Sequence, residues 1–449
     1  MTHAVLRTGE TTLFLPDSAR WALTHGLIRL AMRREAAKGN PATLRVTDPS
    51  VRLNPYAHYE TMRSDQPFVG GLGSKMTVRH DVASEVLRSD AMGAAAFGGA
   101  PAPIRRILAA FAPSAARSVF EPPSMVAVDP PYHTRYRKLV VRAFSAKAVN
   151  ALRVRTEEVA ATLLDAIAAR DLREPVDLVQ AYTSQLPSVV ICEMLGAPTG
   201  MSEQFLQWSD AAASPLDPGM SRRRFLADQR RIDALLDWLR GHFDHLRHHP
   251  GQDIMSDLVN STDAEGRRLT EAELLATTML VLAAGLETTV NLMANGIALL
   301  EQHPGQRALL AERPELWPNA VDEMLRVESP VQRISRRALR DTEIAGVRLA
   351  EGEIVVVMLG AANRDPEVFT DPAAFDVTRA NAGKHLAFST GIHYCLGAAL
   401  AKMEGEVGFR ALYDRFPDLT LIDEGERKPT RNLRGFNRLM ATPAPTPVR

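Results

Sequence analysis

The chain has 449 residues, 45% of them hydrophobic, and its 53 basic and 53 acidic residues give a formal net charge of zero. This balance excludes a chain-wide field that would attract nucleic acid or an anionic membrane, while the length allows one large domain or several smaller ones. Two cysteines, Cys192 and Cys395, cannot build a disulfide framework and suit a reducing cytosol. No stretch near residue 1 has the signal-peptide pattern, so we expect a cytoplasmic protein. The balanced charge also leads us to expect that it binds no nucleic acid.

Residues 20–35, RWALTHGLIRLAMRRE, mix apolar side chains and arginines in an amphipathic helical pattern. The apolar face suits either a membrane surface or the rest of the protein. Most amphipathic helices pack on a core, so we favour a helix packed on the domain and expect no membrane association.

The remaining chain is mainly helical, with β-like pieces in a few stretches. A glycine-rich hairpin is predicted over 67–81, and alternating β-branched residues predict strands over 341–360. Residues 91–127 and 214–221 are rich in Ala, Gly or Pro without periodicity, and we expect both to act as mobile covers. No repeat or long linker divides the chain, which favours one intertwined domain.

A helix is predicted over 129–145, entered through two prolines. His133 and Arg137 are four residues apart on one face of it. Three further basic residues share another face: Arg135, Lys138 and Arg142. These side chains form either a solvated basic surface or two cationic faces for two anionic partners, one inside and one outside the protein.

The longest predicted helix begins with a capping box, Thr270 and Glu273, and is apolar almost all round over 274–300. Its length would allow a membrane span, but an acid at its middle, Glu287, would cost about 2.5 kcal/mol or more in lipid. We therefore expect a helix through the centre of the protein, in which Glu287 is paired, hydrated or protonated.

Gly285 lies within the same helix, where glycine costs about 1 kcal/mol relative to alanine, so we expect something to approach the backbone there. The hydroxyl of Thr288 can bond back to the preceding turn and loosen the helix. A small residue, the acid Glu287 and a hydroxyl together suit proton delivery beside a bound ligand.

Glu323 and Arg326 are three apart in a predicted helix over 317–330 and can form an ion pair. Taken alone, this pattern is typical of a surface pair worth at most about 1 kcal/mol.

Cys395 precedes a predicted helix and lies in the loop FSTGIHYCLG, residues 388–397. Backbone N–H groups at a helix start stabilise a thiolate, and glycines let a flat group approach the loop while Phe388 shields the sulfur. Taken alone, a single buried cysteine is more often an inert hydrophobic residue.

In combination, these motifs resemble the cytochrome P450 family, specifically its soluble bacterial haem-thiolate monooxygenases. The cysteine loop matches apart from Ser389, where many members have glycine, and AGLETT (284–289), EMLR (323–326) and NRDPEVFTDPAAFDVTR (363–379) occur in the family's order. The resemblance implies a mainly α protein with small β-sheets and haem between the central helix and the cysteine-loop helix. It covers 45–449 as one haem domain and leaves 1–44 as an N-terminal extension.

The resemblance assigns roles residue by residue. Cys395 would ligate the iron of haem b (iron protoporphyrin IX). The other cofactor-binding residues would be His133, Arg137, Ala284, Gly285, Arg336, Phe388, His393 and Gly397, the four basic ones among them holding the haem propionates. Glu287 and Thr288 would be catalytic, delivering protons during the cleavage of dioxygen, and Glu323 with Arg326 would tie their helix to 363–379.

The implied activity is hydroxylation or epoxidation of a hydrophobic small molecule by dioxygen. We find no dinucleotide-binding fingerprint in the chain, so electrons would come from a ferredoxin and its NAD(P)H-dependent reductase. The acidic surface of the ferredoxin would dock on the face of this protein that carries Arg135, Lys138 and Arg142. Alternatives are a haem peroxygenase, an oxidative coupling enzyme and a haem-based sensor without turnover.

The family's substrate contacts fall at Val281 and Ala284 on the central helix, at Val331 and Ile334 in a following strand, and near Phe436. These positions are apolar, which favours a lipid, terpenoid, steroid or polyketide without choosing among them.

Overall fold

The computed structural model describes residues 16–39, 43–71, 73–95, 118–217 and 219–443, apart from the side chains at 45, 46 and 199. Within these ranges the chain is mostly helical, and short strands form four small sheets.

The helices of the first half are α1 (Asp17–Trp21), α2 (Leu27–Ala37), α3 (Leu44–Thr47), α4 (Pro49–Leu53), α5 (Tyr56–Thr61), α6 (His80–Arg88), α7 (Tyr132–Val140), α8 (Ala146–Ala168), α9 (Gln185–Met194) and α10 (Ser202–Ala213). Those of the second half are α11 (Arg222–His248), α12 (Ile254–Asn260), α13 (Glu271–Gln302), α14 (Pro304–Glu312), α15 (Trp317–Val327), α16 (Leu359–Ala362) and α17 (Ala398–Arg415).

The strands are β1 (Val69–Gly70), β2 (Lys75–Thr77), β3 (Met92–Ala94), β4 (Val176–Asp177), β5 (Ile334–Ala338), β6 (Thr342–Ile344), β7 (Val347–Leu349), β8 (Ile354–Val357), β9 (Thr420–Leu421), β10 (Glu426–Arg427), β11 (Phe436–Arg438) and β12 (Met440–Thr442). The largest sheet has the order β1-β2-β8-β5-β3, with β2 and β8 parallel and the other pairs antiparallel. Strand β12 lies between β4 and β9, and two hairpins pair β6 with β7 and β10 with β11. The predicted hairpin over 67–81 and the strands over 341–360 are confirmed.

Helix α13 is the centre of the largest hydrophobic core, where α9, α10 and α17 pack against it. The predicted capping box is confirmed: Thr270 Oγ1 accepts the Glu273 N–H at 3.3 Å, and Glu273 Oε2 accepts the Thr270 N–H at 2.8 Å. Among the described residues, α13 is the one helix long and apolar enough to cross a bilayer, and 78% of that apolar window is buried. Its surroundings are therefore those of a core helix.

The N-terminal segment, residues 17–37, packs on the rest of the chain. The single helix predicted over 20–35 is interrupted by a π-helical turn at Ala22–Gly26. Trp21 Nε1 donates to Met220 O at 3.0 Å, and Arg20 forms a buried ion pair with Glu121. The favoured alternative, a helix that packs on the protein, is the one observed.

Both expected covers contain short ordered pieces. Residues 96–117 of the first lie outside the described part, while Met125–Ala127 forms a 3₁₀ turn. The second contains a 3₁₀ turn at Ser214–Leu216, and residue 218 again lies outside the described part.

Candidate active site

The cysteine loop, 388–397, is a tight backbone structure directly before α17. The Cys395 N–H donates to Phe388 O at 2.9 Å and closes the loop. Gly391 has a φ of 73°, and a Cβ at this position would lie 2.4 Å from Leu87 O. Glycine is therefore required here by conformation and by space.

Ser389 also adopts a left-handed conformation, with a φ of 61°. An L-residue pays about 1–2 kcal/mol for this geometry, which glycine adopts without the steric penalty. The position where the sequence departs from the family pattern is thus one where the backbone favours glycine.

The Cys395 thiol is half-buried at the start of α17, and Gly397 is the N-cap residue of that helix. Burial raises the pKa of the Cys395 thiol, whereas the Gly397 N–H and the Arg137 guanidinium oppose that rise. The helix start therefore stabilises the thiolate as predicted, but burial outweighs this contribution. Coordination to a metal ion reverses this balance, since a coordinating thiol is deprotonated.

Cys192 behaves as a core residue. It is fully buried in α9, and burial raises its pKa to about 12. The Phe388 ring contacts Tyr394 edge to face at 6.4 Å and is half-buried beside the cysteine loop.

Four basic side chains from three elements converge next to the cysteine loop: His133 and Arg137 on α7, Arg336 on β5 and His393 in the loop itself. The His133 and His393 rings are 4.3 Å apart, and both Nε2 atoms are buried without a hydrogen-bond partner in the described part of the chain. Burial, followed by the charges of Arg336, His133 and Arg137, lowers the pKa of His393 to about 3. Burial also lowers the pKa of Arg336 to about 10, with Asp129 opposing.

The His133 pKa is lowered for the same reasons, first by burial and then by Arg137. Arg137 donates to Tyr394 O at 2.8 Å, and Arg336 donates to Ser335 O at 3.2 Å. Two guanidiniums beside histidines with orphaned buried nitrogens fit the two propionates of haem b, and the adjacent cysteine is one of the residue types that ligate haem iron.

The middle of α13 presents Ala284 and Thr288 toward open space. Thr288 Oγ1 donates to Ala284 O at 2.6 Å, which is the back-bond expected from the sequence. The neighbouring Thr289 makes the equivalent bond to Gly285 O at 2.9 Å but is buried.

The acid of this segment is paired with a lysine. Lys428 Nζ donates to Glu287 Oε1 at 2.5 Å, and Asn291 Nδ2 lies 3.5 Å from the same oxygen. The partners Glu287 and Lys428 are 141 residues apart in sequence, so no local pattern could have indicated the pair.

The close approach predicted at Gly285 comes from the protein itself. A Cβ on Gly285 would lie 3.2 Å from Ile191 Cδ1, on α9. Gly285 is therefore explained in part by helix packing, and its contact with a cofactor stays a prediction.

A cavity of about 840 Å³ lies between α13 and the cysteine loop. Ala284, Glu287 and Thr288 line one side of it, and Ser389 and His393 line another. The two motifs that were singled out separately in the sequence thus border the same space.

Three predicted substrate contacts, Ala284, Val331 and Ile334, line this cavity. Two do not, and their prediction is corrected: Phe436 is fully buried, and Val281 is packed in the core of α13. The lining residues on α13 follow one helical face instead, namely Leu280, Ala283, Ala284, Glu287 and Thr288.

The N-terminal segment also contributes to the cavity wall, which was not predicted from the sequence. Its lining residues include Thr24, His25, Ile28 and Met32. The amphipathic pattern was the available signal, but it gave no indication of what the apolar face covers.

Glu323 and Arg326 form a buried network, not the surface pair that their spacing alone suggests. Both are fully buried, and Arg326 Nε and Nη2 donate to Glu323 at 2.7 and 2.8 Å. Arg326 also donates to Pro372 O and Ala374 O, both at 2.7 Å, and Arg379 donates to Glu323 at 3.0 Å. These bonds join α15 to the segment 363–379.

Arg135 is not available as part of an external docking face, which corrects the prediction. It donates to Asp263 at 2.7 Å and to Glu273 at 2.8 Å. Lys138 and Arg142 of the same predicted face are exposed.

The fold and site define a helical protein in which the cysteine loop lies beside a cluster of basic side chains suited to haem. The Cytochrome P450 family model matches residues 110–446. The chain belongs to the cytochrome P450 family; its cofactor is haem b, and it is an oxidoreductase of the monooxygenase type.

Relatives span most of the chain. "Putative cytochrome P450 140" of Mycobacterium tuberculosis is 45% identical over 436 residues, covering 96% of this chain and 98% of that protein. The 6-deoxyerythronolide B hydroxylase of Saccharopolyspora erythraea is 41% identical and covers 69% of this chain and 76% of that protein. The vitamin D(3) 25-hydroxylase of Pseudonocardia autotrophica is 39% identical, with coverages of 72% and 78%.

Solved structures agree with this assignment. Myxobacterial cytochrome P450 CYP267B1 in complex with myristic acid has a TM-score of 0.79 and 33% identity, covering 90% of this chain and 100% of that one. CxnD, a cytochrome P450 for C–S bond formation in chuangxinmycin biosynthesis, has a TM-score of 0.78 and 29% identity, with coverages of 87% and 94%.

Proposed function

We propose that this protein uses dioxygen and electrons from a separate ferredoxin to hydroxylate or epoxidise a hydrophobic small organic molecule. The observation that carries the proposal is the cavity bordered by both the Glu287–Thr288 segment and the cysteine loop. Its lining is mainly apolar, which suits a hydrophobic substrate.

Cys395 is the proposed axial thiolate, and His133, Arg137, Arg336 and His393 are the proposed propionate ligands. When bound, haem b supplies the redox chemistry on dioxygen, tuned by the thiolate. The Arg137 and Arg336 guanidiniums would orient the cofactor through charge-assisted hydrogen bonds, and the two histidines would add hydrogen bonds from their ring nitrogens. The remaining predicted cofactor contacts are Ala284, Gly285, Phe388 and Gly397.

Glu287 and Thr288 are the proposed proton-delivery residues. The Thr288 hydroxyl faces the cavity and holds its proton on Ala284 O, from which it can rotate toward a ligand. The Glu287 carboxylate borders the cavity while bound to Lys428, so breaking this bond would let it exchange protons with the hydroxyl.

The electron donor is proposed to dock on the outer surface beside the cysteine loop. Four large apolar side chains are exposed there: Tyr132, Val141, Ile392 and Tyr394. Exposed Lys138 and Arg142 lie on the same helix region and complement an acidic ferredoxin. Lys138→Glu with Arg142→Glu should slow reduction and weaken its salt dependence, whereas Arg348→Glu, on the exposed β6–β7 hairpin, should not.

Oxidative coupling is the second candidate, because the similar structure CxnD is named for C–S bond formation. A peroxygenase or a haem sensor remains a further alternative, but neither has a use for a buried acid beside a cavity hydroxyl.

Reconstitution with ferredoxin, ferredoxin reductase and NADPH tests the proposal. We expect oxygen uptake to match formation of a product containing one added oxygen atom, and Glu287→Gln to reduce that coupling. Efficient turnover with hydrogen peroxide that is unaffected by this substitution would favour a peroxygenase. A coupled product without added oxygen would favour oxidative coupling, and failure of any substrate to turn over would favour a sensor.

A further inference from the structure

A second cavity, of about 420 Å³, adjoins the cavity beside the cysteine loop. It lies between α2, the link from α10 to α11, and residues 429–433. Both cavities share five lining residues: Met32, Ala213, Leu216, Glu287 and Leu433. The two cavities therefore meet at these residues.

The acidic side chains of the second cavity already have partners. Arg224 donates to Asp210 at 2.8 Å, and Lys428 donates to Glu287 at 2.5 Å. Asp217 accepts the backbone N–H groups of residues 431 and 432 at 2.7 and 2.9 Å.

Arg29 and Arg33 are different. They are one turn apart on α2 and both line the second cavity. Neither has an acidic side chain within 4.0 Å in the described part of the chain, and both are exposed toward solvent.

Further positive charge surrounds the same space. Burial lowers the pKa of Arg431, Asp217 opposes this shift, and the charges of Arg52 and Arg29 lower the pKa by smaller amounts. Like charges held this close repel each other, and a bound anion would relieve that repulsion.

We propose that the second cavity binds an anionic oxygen headgroup of the substrate, with Arg29 and Arg33 as its ligands, while the apolar body occupies the larger cavity. Guanidinium groups suit this task because their planar donors match carboxylate and phosphate oxygens. This inference rests on the proposed monooxygenase function and narrows its substrate class to acidic amphiphiles.

The test compares probes of equal chain length on the haem-loaded protein at low ionic strength. Myristate, tetradecyl phosphate and neutral 1-tetradecanol are titrated, with binding measured by the Soret shift and by equilibrium dialysis. We expect an anionic probe to bind at least about tenfold more tightly than the alcohol, a factor that corresponds to about 1.4 kcal/mol. The tighter of the two anions identifies the headgroup as carboxylate or phosphate ester.

The double variant Arg29→Gln with Arg33→Gln should lose this preference while still binding 1-tetradecanol. Arg34→Gln is the matched control, because Arg34 lies on the same helix and lines neither cavity. No preference in the wild-type protein, or a preference that survives the double substitution, overturns the inference.

The carbon monoxide spectrum of the same preparation distinguishes failure of the anion-site inference from failure of the proposed monooxygenase function. A thiolate-type band without headgroup preference refutes the anion site alone. If that band is missing, the monooxygenase proposal fails, while equilibrium dialysis still decides whether the arginines bind the headgroup.

Discussion

His25 should make the docking of the N-terminal segment depend on pH. Its ring is buried against Phe225 at 5.5 Å, and its Nδ1 accepts the Gly219 N–H at 3.3 Å. Burial, with a smaller effect from Arg431, lowers the His25 pKa from 6.5 to about 4. Protonation would remove the Nδ1 acceptor and place a charge in an apolar site.

The sign and size of the effect follow from this pKa. The docked state binds fewer protons than the undocked state, so docking is fully stable above about pH 6.5 and weakens as pH falls toward 4. The whole shift in the His25 pKa corresponds to about 3 kcal/mol of docking free energy. About 2 kcal/mol of this stabilisation is lost at about pH 5. Opening of residues 17–37 should then become about thirtyfold more favourable than at about pH 7.5.

Hydrogen exchange measured by mass spectrometry on the haem-loaded protein tests this expectation. Protection factors, corrected for intrinsic pH effects, should fall for residues 17–37 but not for the core helix α15. His25→Gln keeps a hydrogen-bond acceptor without titrating, so its segment should show little pH dependence. Equal protection of the wild-type segment at both pH values, or an equal loss in His25→Gln, would refute the reasoning.

Glu323→Gln should destabilise the protein by about 3–5 kcal/mol in urea unfolding, because it leaves buried guanidiniums without their counter-charge. Glu315→Gln, in an exposed pair, should cost less than about 1 kcal/mol, and similar losses in the two variants would contradict the burial argument. Ser389→Gly should raise the thermal midpoint, with about 1 kcal/mol gained from relief of the left-handed backbone; a lower midpoint would show that the serine side chain outweighs this strain. Thr288→Val should divert reducing equivalents into peroxide and so lower the amount of product formed per NADPH. Thr289→Val should stay coupled, because the Thr289 hydroxyl that it removes is buried, and equal effects of the two substitutions would exclude a special role for the cavity hydroxyl.

Local patterns predicted the parts of the molecule that depend on near neighbours. The capping box at Thr270 and Glu273, the strands around Gly346 and the loop before α17 each arise within a few residues of sequence. Glu287 and Gly285 were singled out because their residue types are unusual in the middle of an apolar helix, whereas Cys395 was singled out only in combination with the other motifs.

Contacts between distant segments could not be predicted in this way. The spacing of Glu323 and Arg326 does not show that the pair is buried beneath 363–379, nor that Lys428 reaches Glu287. The spacing of Arg135 similarly predicts a solvated basic face, whereas the fold places Asp263 and Glu273 next to it. The wrong assignments of Val281 and Phe436 have the same origin, since side-chain direction within a core depends on tertiary packing.

The carbon monoxide spectrum of the reduced, haem-loaded protein tests most directly the central claim that Cys395 is the proximal thiolate. We expect a strongly red-shifted Soret band in the wild-type protein and in Cys192→Ser, and its loss in Cys395→Ser. An unshifted band in folded, haem-loaded wild-type protein would contradict the thiolate assignment and the monooxygenase account built on it.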